Sequence, residues 1–294
     1  MGPMTAGTTN ELLGYAPDAR LLIINADDLG LSPGVNRGIL EAHAAGAVTS
    51  ASLLANAPGL ADAVTCLRAA PTLQVGLHLN LTDGQPAAQP DAVSSLCNPH
   101  TRTFYSLPQL IARALFGRIA RDHVVAECGA QLSRLRELGV SVGHIDSHRH
   151  VHALPVVWSA VLEVAARTGV SAVRIPEESS PRRSMRLGRA LAAASLRVAW
   201  RFATNGHTDH RRLRRADRFW GFGLLGALDF QRRLLAILDQ LEPGTTELMV
   251  HPGYVDRELA EWDSYTTPRE RELAALCSRE VRERLARGDL RLVA

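Results

Sequence analysis

The chain has 294 residues, of which 46% are hydrophobic and 21% are charged. This composition is typical of a globular protein with a full hydrophobic core, and it excludes a disordered, fibrous or small disulfide-stapled protein. The 33 basic residues are all arginines and face 30 acidic residues, so the formal net charge is only +3.

The start of the chain and its cysteines give no sign of export. Residues 1–19 lack the basic start and apolar run of a secretory signal, and we expect them to form a flexible N-terminus. The four cysteines lie far apart, which favours reduced thiols over a disulfide framework or a metal knuckle. No stretch reaches the roughly 18 apolar residues that a membrane-spanning helix needs. We therefore expect a cytoplasmic protein.

Short apolar strands alternate with helical segments from residue 20 onwards. The first strand covers residues 21–24 and stops at the polar Asn25. Ser32 and Pro33 then predict the cap and first turn of a helix that continues to about Ala45. Further strands are predicted over residues 47–55, 73–79, 140–145, 172–175, 219–222, 247–250 and 290–293. Further helices are predicted over residues 58–70, 225–241 and 267–287, and another begins at about residue 155. Two more helices are predicted after a loop at residues 82–105.

About eight strand–helix units in this length predict an α/β fold with a single TIM-like (β/α) barrel, for which about 250 residues are usual. A distorted or seven-stranded barrel fits the pattern equally well. No linker divides residues 20–294, so we expect one domain, with a basic helical insertion at about residues 181–218. In such barrels the functional side chains lie at the C-terminal ends of the strands.

Polar residues at predicted strand ends are therefore the candidates for a site. Asp27 and Asp28 follow the first strand, where a bound cation and an Asx-type turn are equal explanations for two adjacent carboxylates. His78 shares one face of the third strand with Asn80. His251 follows a late strand, either as a general acid or base or as a residue held by backbone hydrogen bonds.

The segment from His144 to His152 is the strongest signal, because it holds four histidines out of 11 at alternating positions around Asp146. An extended segment would place all its even-numbered residues on one side, namely His144, Asp146, His148, His150 and His152. Imidazole with carboxylate is an ordinary ligand set for a divalent cation. A metal site is therefore favoured over a fortuitous histidine-rich surface.

Taken together, these motifs resemble the YdjC family, which includes chitooligosaccharide deacetylase and the hopanoid-biosynthesis-associated deacetylases. The resemblance rests on residues 25–32, 76–78, 144–152 and 251–252, and it covers residues 20–254. It implies a distorted barrel of the glycoside hydrolase/deacetylase type. It also implies an enzyme that hydrolyses the acetamide of an N-acetylated sugar with one divalent metal ion, releasing acetate and a free amine.

The resemblance further implies individual roles for the strand-end residues. Asp28, His78 and His148 correspond to the metal ligands, Asp27 to the general base and His251 to the general acid. Two imidazoles and one carboxylate favour zinc by ligand softness, whereas the family is often described with magnesium. The identity of the metal is therefore left open between zinc and magnesium.

Other polar residues are expected to support the site or bind substrate. Arg174 matches a family arginine that holds or orients the site, whereas His150 and His152 match positions without an assigned role. Asp146 lies two residues before His148 and is expected to orient that imidazole. Asn80 is a further candidate for one of these supporting roles.

The region from Arg182 to Arg233 contains 13 arginines and three aspartates. Residues 182–215 of this region mix arginine with leucine, tryptophan and phenylalanine, as in helices that lie on a membrane surface. Such a helix could contact the inner face of the membrane and reach a lipid-linked sugar there. A solvated arginine face on a helix covering the barrel is the other explanation. No nucleic-acid recognition motif accompanies the charge, so we expect no nucleic-acid partner. A homodimer is left open.

Two other functions fit part of the pattern. A metal-dependent amidohydrolase or deaminase for a non-sugar substrate also uses a histidine-rich barrel, but usually has His-x-His where this chain has Asp27 and Asp28. A catalytically silent carbohydrate-binding barrel would not need the full set of carboxylates and histidines. We therefore expect an N-deacetylase that acts on an oligosaccharide or a lipid-linked glycan.

Overall fold

A parallel β-sheet curled into a barrel forms the centre of the protein. The structure is a computed structural model, and it describes residues 9–179, 187–204 and 213–294. The strands are β1 (Arg20–Leu29), β2 (Ser50–Leu53), β3 (Gln74–Leu79), β4 (His144–Ser147), β5 (Ala172–Val173), β6 (Arg218–Trp220), β7 (Gly244–Val250) and β8 (Arg291–Leu292). Their order across the sheet is β5-β4-β3-β2-β1-β7-β6, and β8 pairs with β1.

Two isolated parallel bridges join the two edges of this sheet. Ala172 of β5 pairs with Arg214, and Glu178 pairs with Phe219 of β6. The strands β1 to β7 therefore follow one another around a ring in chain order, as in a (β/α) barrel. Strand β8 pairs with the first half of β1, and β2 pairs with its second half. The predicted distorted barrel of seven or eight strands is confirmed.

Eleven helices are present in the described part of the chain. They are α1 (Thr9–Leu12), α2 (Pro33–Ala44), α3 (Leu60–Leu67), α4 (Leu107–Leu115), α5 (Arg121–Glu137), α6 (Pro155–Thr168), α7 (Leu187–Thr204), α8 (Phe230–Asp239), α9 (Arg257–Trp262), α10 (Thr267–Leu276) and α11 (Arg279–Leu285). Short 3-10 turns cover Pro90–Val93 and His148–Ala153. Apolar side chains of the longer helices, such as Ile39, Leu132 and Trp158, are buried in one continuous core.

Capping residues explain where two of the helices begin. The Ser32 hydroxyl accepts a hydrogen bond from the N–H of Val35, and Pro33 occupies the first turn of α2, as predicted. The prediction of a single helix over residues 267–287 is wrong. Ser278 starts a separate helix, α11, because its hydroxyl accepts the N–H of Val281.

The first residues of the described chain pack against the barrel. Within the segment expected to be a flexible N-terminus, Asn10 of α1 is buried and donates hydrogen bonds to the carbonyls of Ala16 and Ala19. Its side-chain oxygen accepts a hydrogen bond from Thr245 of β7. Residues 9–19 are therefore tied to the start of β7.

The basic insertion predicted at residues 181–218 is described in part. Helix α7 accounts for residues 187–204, and residues 181–186 and 205–212 lie outside the described chain. Trp200 of α7 packs on Trp158 of α6, with ring centroids 4.6 Å apart. None of the helices in the described ranges combines the length and apolar character that a bilayer crossing requires.

Candidate metal centre and catalytic cluster

Side chains from distant segments meet at the C-terminal end of the barrel. A cavity of about 600 Å³ at this end is lined by the predicted site residues Asp27, Asp28, His78, His148, His150 and His251. The strand register explains part of this arrangement, because His78 of β3 pairs directly with Asp146 of β4. The cluster therefore forms where the carboxyl ends of neighbouring parallel strands lie side by side.

A β-bulge near the end of β1 turns both adjacent carboxylates into the cluster. The register of β1 against β2 shifts between Ala26 and Leu29. Asp28 has a φ of 70°, a left-handed conformation that aspartate tolerates better than most residues. In a regular strand Asp27 and Asp28 would point to opposite faces. The prediction that the strand ends at Asn25 is wrong, since the bulged strand continues to Leu29.

Asp28, His78 and His148 bring three candidate ligand atoms within 4.8 Å of one another. Asp28 Oδ1 lies 2.8 Å from His148 Nδ1 and 3.4 Å from His78 Nε2. The second nitrogen of each imidazole faces another carboxylate. His78 Nδ1 lies 2.7 Å from Asp146 Oδ1, and His148 Nε2 lies 3.5 Å from Asp83 Oδ2. Carboxylates in these positions orient histidine ligands in metal sites.

The expected partner of Asp146 is corrected by this geometry. We expected Asp146 to orient His148, but it contacts His78, because the pairing of β3 with β4 sets these two residues opposite each other. Asp83, which lies in the loop after β3, is the carboxylate beside His148.

The electrostatics of the cluster favour a bound cation. Burial disfavours the charged form of His78, but Asp146 and Asp27 outweigh that effect and raise the pKa of His78 to about 10. Burial would raise the pKa of Asp28, yet Arg269 and His148 hold it well below its usual range. A positive charge is therefore stabilised at His78 Nε2, next to an ionised carboxylate. This donor set and its charge fit a divalent metal ion.

Asp27, His78 and Asp146 form a second group with metal-ligand spacing. The guanidinium of Arg174 already balances the negative charge of its carboxylates. The two terminal nitrogens of Arg174 donate to both oxygens of Asp27 at 2.7 and 2.6 Å. One of them also lies 2.7 Å from Asp146 Oδ2, and the Arg174 Nε donates to Glu247. Burial opposes the charge of Arg174, but Asp146 and Asp27 raise its pKa well above the usual value. A metal ion would have to displace this guanidinium.

His251 faces Asp27 at the edge of the cluster. Its Nε2 lies 4.0 Å from Asp27 Oδ2, and His78 Nε2 lies at the same distance from that oxygen. These gaps are too long for direct hydrogen bonds, so Asp27 Oδ2 can interact with a small ligand between the two imidazoles. The loop that carries His251 is fixed by Glu272, which accepts the His251 backbone N–H and the hydroxyl of Tyr265.

The expectation that all even-numbered residues from His144 to His152 share one side is wrong. Strand β4 ends at Ser147, and residues 148–153 form a 3-10 turn. Arg149 and His150 have φ values of 56° and 53°, so the backbone leaves the extended conformation on which the prediction depended.

The three other histidines of the segment from His144 to His152 are not candidate ligands, and their surroundings differ. His150 lines the cavity, with its ring packed against Phe222 at 4.9 Å between centroids. His152 is buried beside Ser147, and burial lowers its pKa to about 4. His144 is held by Ser52, and burial lowers its pKa as well. His144 and His152 are therefore neutral packing residues.

Asn80 supports the site indirectly, through the loop after β3. Its side-chain oxygen accepts the backbone N–H groups of Thr82 and Asp83, and its amide donates to the carbonyl of Asp83. The loop thereby holds Asp83 near His148 and Arg149. These contacts are those of a residue that shapes the loop.

Two residues that hold the carboxylates were missed by sequence reasoning. Arg269 of α10 is buried, and its Nη2 donates to Asp28 Oδ2 at 2.7 Å and to Asp263 at 2.8 Å. Ser52 of β2 donates to Asp146 Oδ2 at 2.7 Å. Arg269 lies in a helix rich in arginine and glutamate, which gave no signal. A polar residue inside an apolar strand was the available signal for Ser52.

Comparisons with known proteins agree with one another. The family model described as YdjC-like protein matches residues 21–287. A carbohydrate deacetylase of Brevibacillus brevis is 33% identical over 272 residues, which are 92% of this chain and 97% of that protein. A carbohydrate deacetylase of Geobacillus stearothermophilus is 34% identical over 275 residues, which are 93% and 96% of the two chains.

A solved structure gives a similar result. The crystal structure of a proposed cellobiose-phosphate cleavage protein from Enterococcus faecalis V583 matches with a TM-score of 0.75 and 26% identity. The match covers 94% of this chain and 97% of that one.

The role of Arg174 in neutralising the cluster can be tested by the variant Arg174→Met. We expect the free energy of unfolding to fall by about 3–5 kcal/mol, because three buried carboxylates lose their shared cation. The control is Arg279→Met, whose ion pair with Glu283 is largely exposed, with side chains 80% and 61% accessible. That change should alter stability by less than about 1 kcal/mol. Urea unfolding of both variants in one buffer measures the difference, and equal small effects would contradict this role.

Proposed function

The chain belongs to the YdjC-like protein family, and we propose that it is a metal-dependent carbohydrate deacetylase. The observation that carries the proposal is the buried group of Asp28, His78 and His148 at the catalytic end of the barrel, in a chain whose relatives are named carbohydrate deacetylases. The reaction is hydrolysis of the acetamide of an N-acetylated sugar, which yields acetate and a free amine.

Asp28, His78 and His148 would hold one divalent ion, which supplies Lewis acidity toward the acetyl carbonyl and toward water. Two of the three donors are imidazole nitrogens, which favours zinc over magnesium. Arg269 bonds the outer oxygen of Asp28, and Asp146 bonds the outer nitrogen of His78. Both contacts fix the ligands in position before any ion binds.

Asp27 would accept the proton of the attacking water. Arg174 donates paired hydrogen bonds to both oxygens of Asp27, and Asn25 donates to its Oδ1 at 2.8 Å. Its Oδ2 faces the space between His78 and His251. A base must lie within hydrogen-bond reach of the proton that it removes, and the position of Asp27 Oδ2 between the two imidazoles supports this assignment.

His251 is the residue that would protonate the leaving nitrogen. Its imidazole and that of His78 both lie 4.0 Å from Asp27 Oδ2. The hydrogen bond from the His251 backbone N–H to Glu272 fixes the loop. An imidazole can carry and release a proton near neutral pH, as this step requires.

A metal-dependent amidohydrolase for a non-sugar substrate would use the same groups, and the names of the relatives favour the sugar. An oligosaccharide and a lipid-linked glycan both satisfy the chemistry at the acetamide. They differ in what the rest of the cavity must contact.

Removal of a metal ligand should abolish metal binding and acetate release together. We expect Asp28→Ala and His148→Ala to lose their metal content after zinc loading, since each removes one of three ligands. Metal content is measured by mass spectrometry, and acetate release is measured on N-acetylglucosamine oligomers. His100→Ala, at an exposed position, is the control and should keep both properties. Full activity in metal-stripped His148→Ala would refute the proposal.

The assignment of Asp27 as the base is tested separately with Asp27→Asn. The amide cannot accept the proton, so we expect kcat to fall by about 10²–10⁴-fold. The metal content should stay at the level of the unmodified protein, because Asp27 is not a ligand. Metal analysis and acetate release on the same preparation measure both quantities. Unchanged turnover would remove Asp27 from this role.

A further inference from the structure

In the described part of the chain, the imidazole of His251 lacks the hydrogen bond that usually orients a histidine used for proton transfer. Its Nδ1 is buried and meets no hydrogen-bond partner among the described residues. Its Nε2 lies 4.0 Å from Asp27 Oδ2, which is too far for a hydrogen bond. A different contact must therefore set the orientation of this ring.

The aromatic ring of Tyr265 packs against this imidazole. The two rings meet edge to face, with centroids 5.6 Å apart and planes inclined at 66°, an arrangement that stabilises aromatic pairs. Tyr265 also lines the cavity that contains the catalytic cluster. Because the two rings are in contact, the phenol ring restricts the rotation of the imidazole.

Glu272 of α10 fixes the position of the two rings relative to each other. Its Oε2 accepts the backbone N–H of His251 at 2.6 Å, and its Oε1 accepts the hydroxyl of Tyr265 at 2.5 Å. Glu272 is only 2% exposed, so both hydrogen bonds are shielded from water. Burial and the neighbouring Glu272 carboxylate raise the pKa of Tyr265 well above its usual value, so the hydroxyl keeps the proton that it donates.

Two further contacts hold Tyr265 in place. Its hydroxyl oxygen accepts the backbone N–H of Gly226, in the loop after β6, at 2.7 Å. Its backbone carbonyl accepts a hydrogen bond from Arg269 Nε at 2.7 Å, and the same guanidinium bonds the candidate metal ligand Asp28. The position of Tyr265 is therefore tied to the loop after β6, to α10 and to the candidate metal centre.

We propose that Tyr265 is a positioning residue for the deacetylase reaction, whose ring holds the imidazole of His251 with Nε2 directed toward Asp27 and the leaving nitrogen. The inference rests on the proposed function, in which His251 is the proton donor. Without the phenol ring, the imidazole can rotate while its backbone N–H stays bonded to Glu272. A proton donor must lie within hydrogen-bond reach of its target, so this rotation lowers the rate and leaves substrate affinity unchanged.

The variant Tyr265→Leu removes the ring and keeps an apolar side chain. For acetate release from N-acetylglucosamine oligomers by the zinc-loaded protein, we expect kcat to fall by about 10–100-fold and KM to stay within about twofold. Tyr265→Phe keeps the ring and should recover most of the loss. Tyr15→Leu alters a half-buried tyrosine beside Arg291, at the opposite end of the barrel, and should change neither constant. An unchanged kcat in Tyr265→Leu would refute the proposal.

A double variant distinguishes an effect through His251 from a general structural effect. If Tyr265 acts through the imidazole, adding Tyr265→Leu to His251→Ala should lower kcat no further. Losses that multiply in the double variant would speak against a positioning role. Circular dichroism monitors folding, and Tyr265→Met takes the place of Tyr265→Leu if that variant does not fold.

Crystal structures of the zinc-loaded protein and of Tyr265→Leu give a readout that does not depend on turnover. We expect the imidazole of His251 to change its side-chain torsion angles in the variant, while its backbone N–H stays bonded to Glu272. An imidazole that keeps its orientation without the phenol ring would overturn the proposal. No acetate release by the unmodified, zinc-loaded protein would contradict the deacetylase function instead, and the two crystal structures would still decide the role of the ring.

Discussion

The buried guanidinium of Arg174 sets the charge balance among three carboxylates of the candidate catalytic cluster. Arg174 is shared by Asp27, Asp146 and Glu247, which would otherwise repel one another in a site with little water. The planar guanidinium bonds Asp27 through two nitrogens at once, which a lysine could not do. Arg174 lies on the side of Asp27 and Asp146, and a second buried guanidinium, that of Arg269, bonds Asp28 Oδ2. The Oδ1 of Asp28 lies with His78 and His148 in the group that could hold a metal ion.

The cavity has a polar part at the ends of the barrel strands and an apolar part against the surrounding helices. Parallel strands bring carboxylates and imidazoles to one end, and the bulge at Asp28 turns a second carboxylate toward the same point. Among the lining residues that the structure describes, α4 and α7 contribute small or apolar side chains and Ser195. The polar cluster and the apolar wall of the cavity are therefore formed by different elements of the fold.

The positions at strand ends could be predicted from the sequence, because a parallel barrel brings such positions together whatever the details of packing. The positions of the histidines after Ser147 could not be predicted, because the two-residue period holds only while the strand continues. The backbone leaves the extended conformation at Arg149 and His150. Arg269 was also out of reach, because a buried arginine on a charged helix has no distinguishing pattern. The apolar wall of the cavity could not be predicted either, because its lining residues on α4 and α7 lie far apart in sequence.

Anomalous diffraction from crystals of the zinc-loaded protein, measured at the zinc absorption edge, identifies the residues that bind the ion. We expect the ion to be held by Asp28, His78 and His148, with Arg174 still bonded to Asp27. An ion bound instead by Asp27 and Asp146, with the guanidinium displaced, would contradict this expectation.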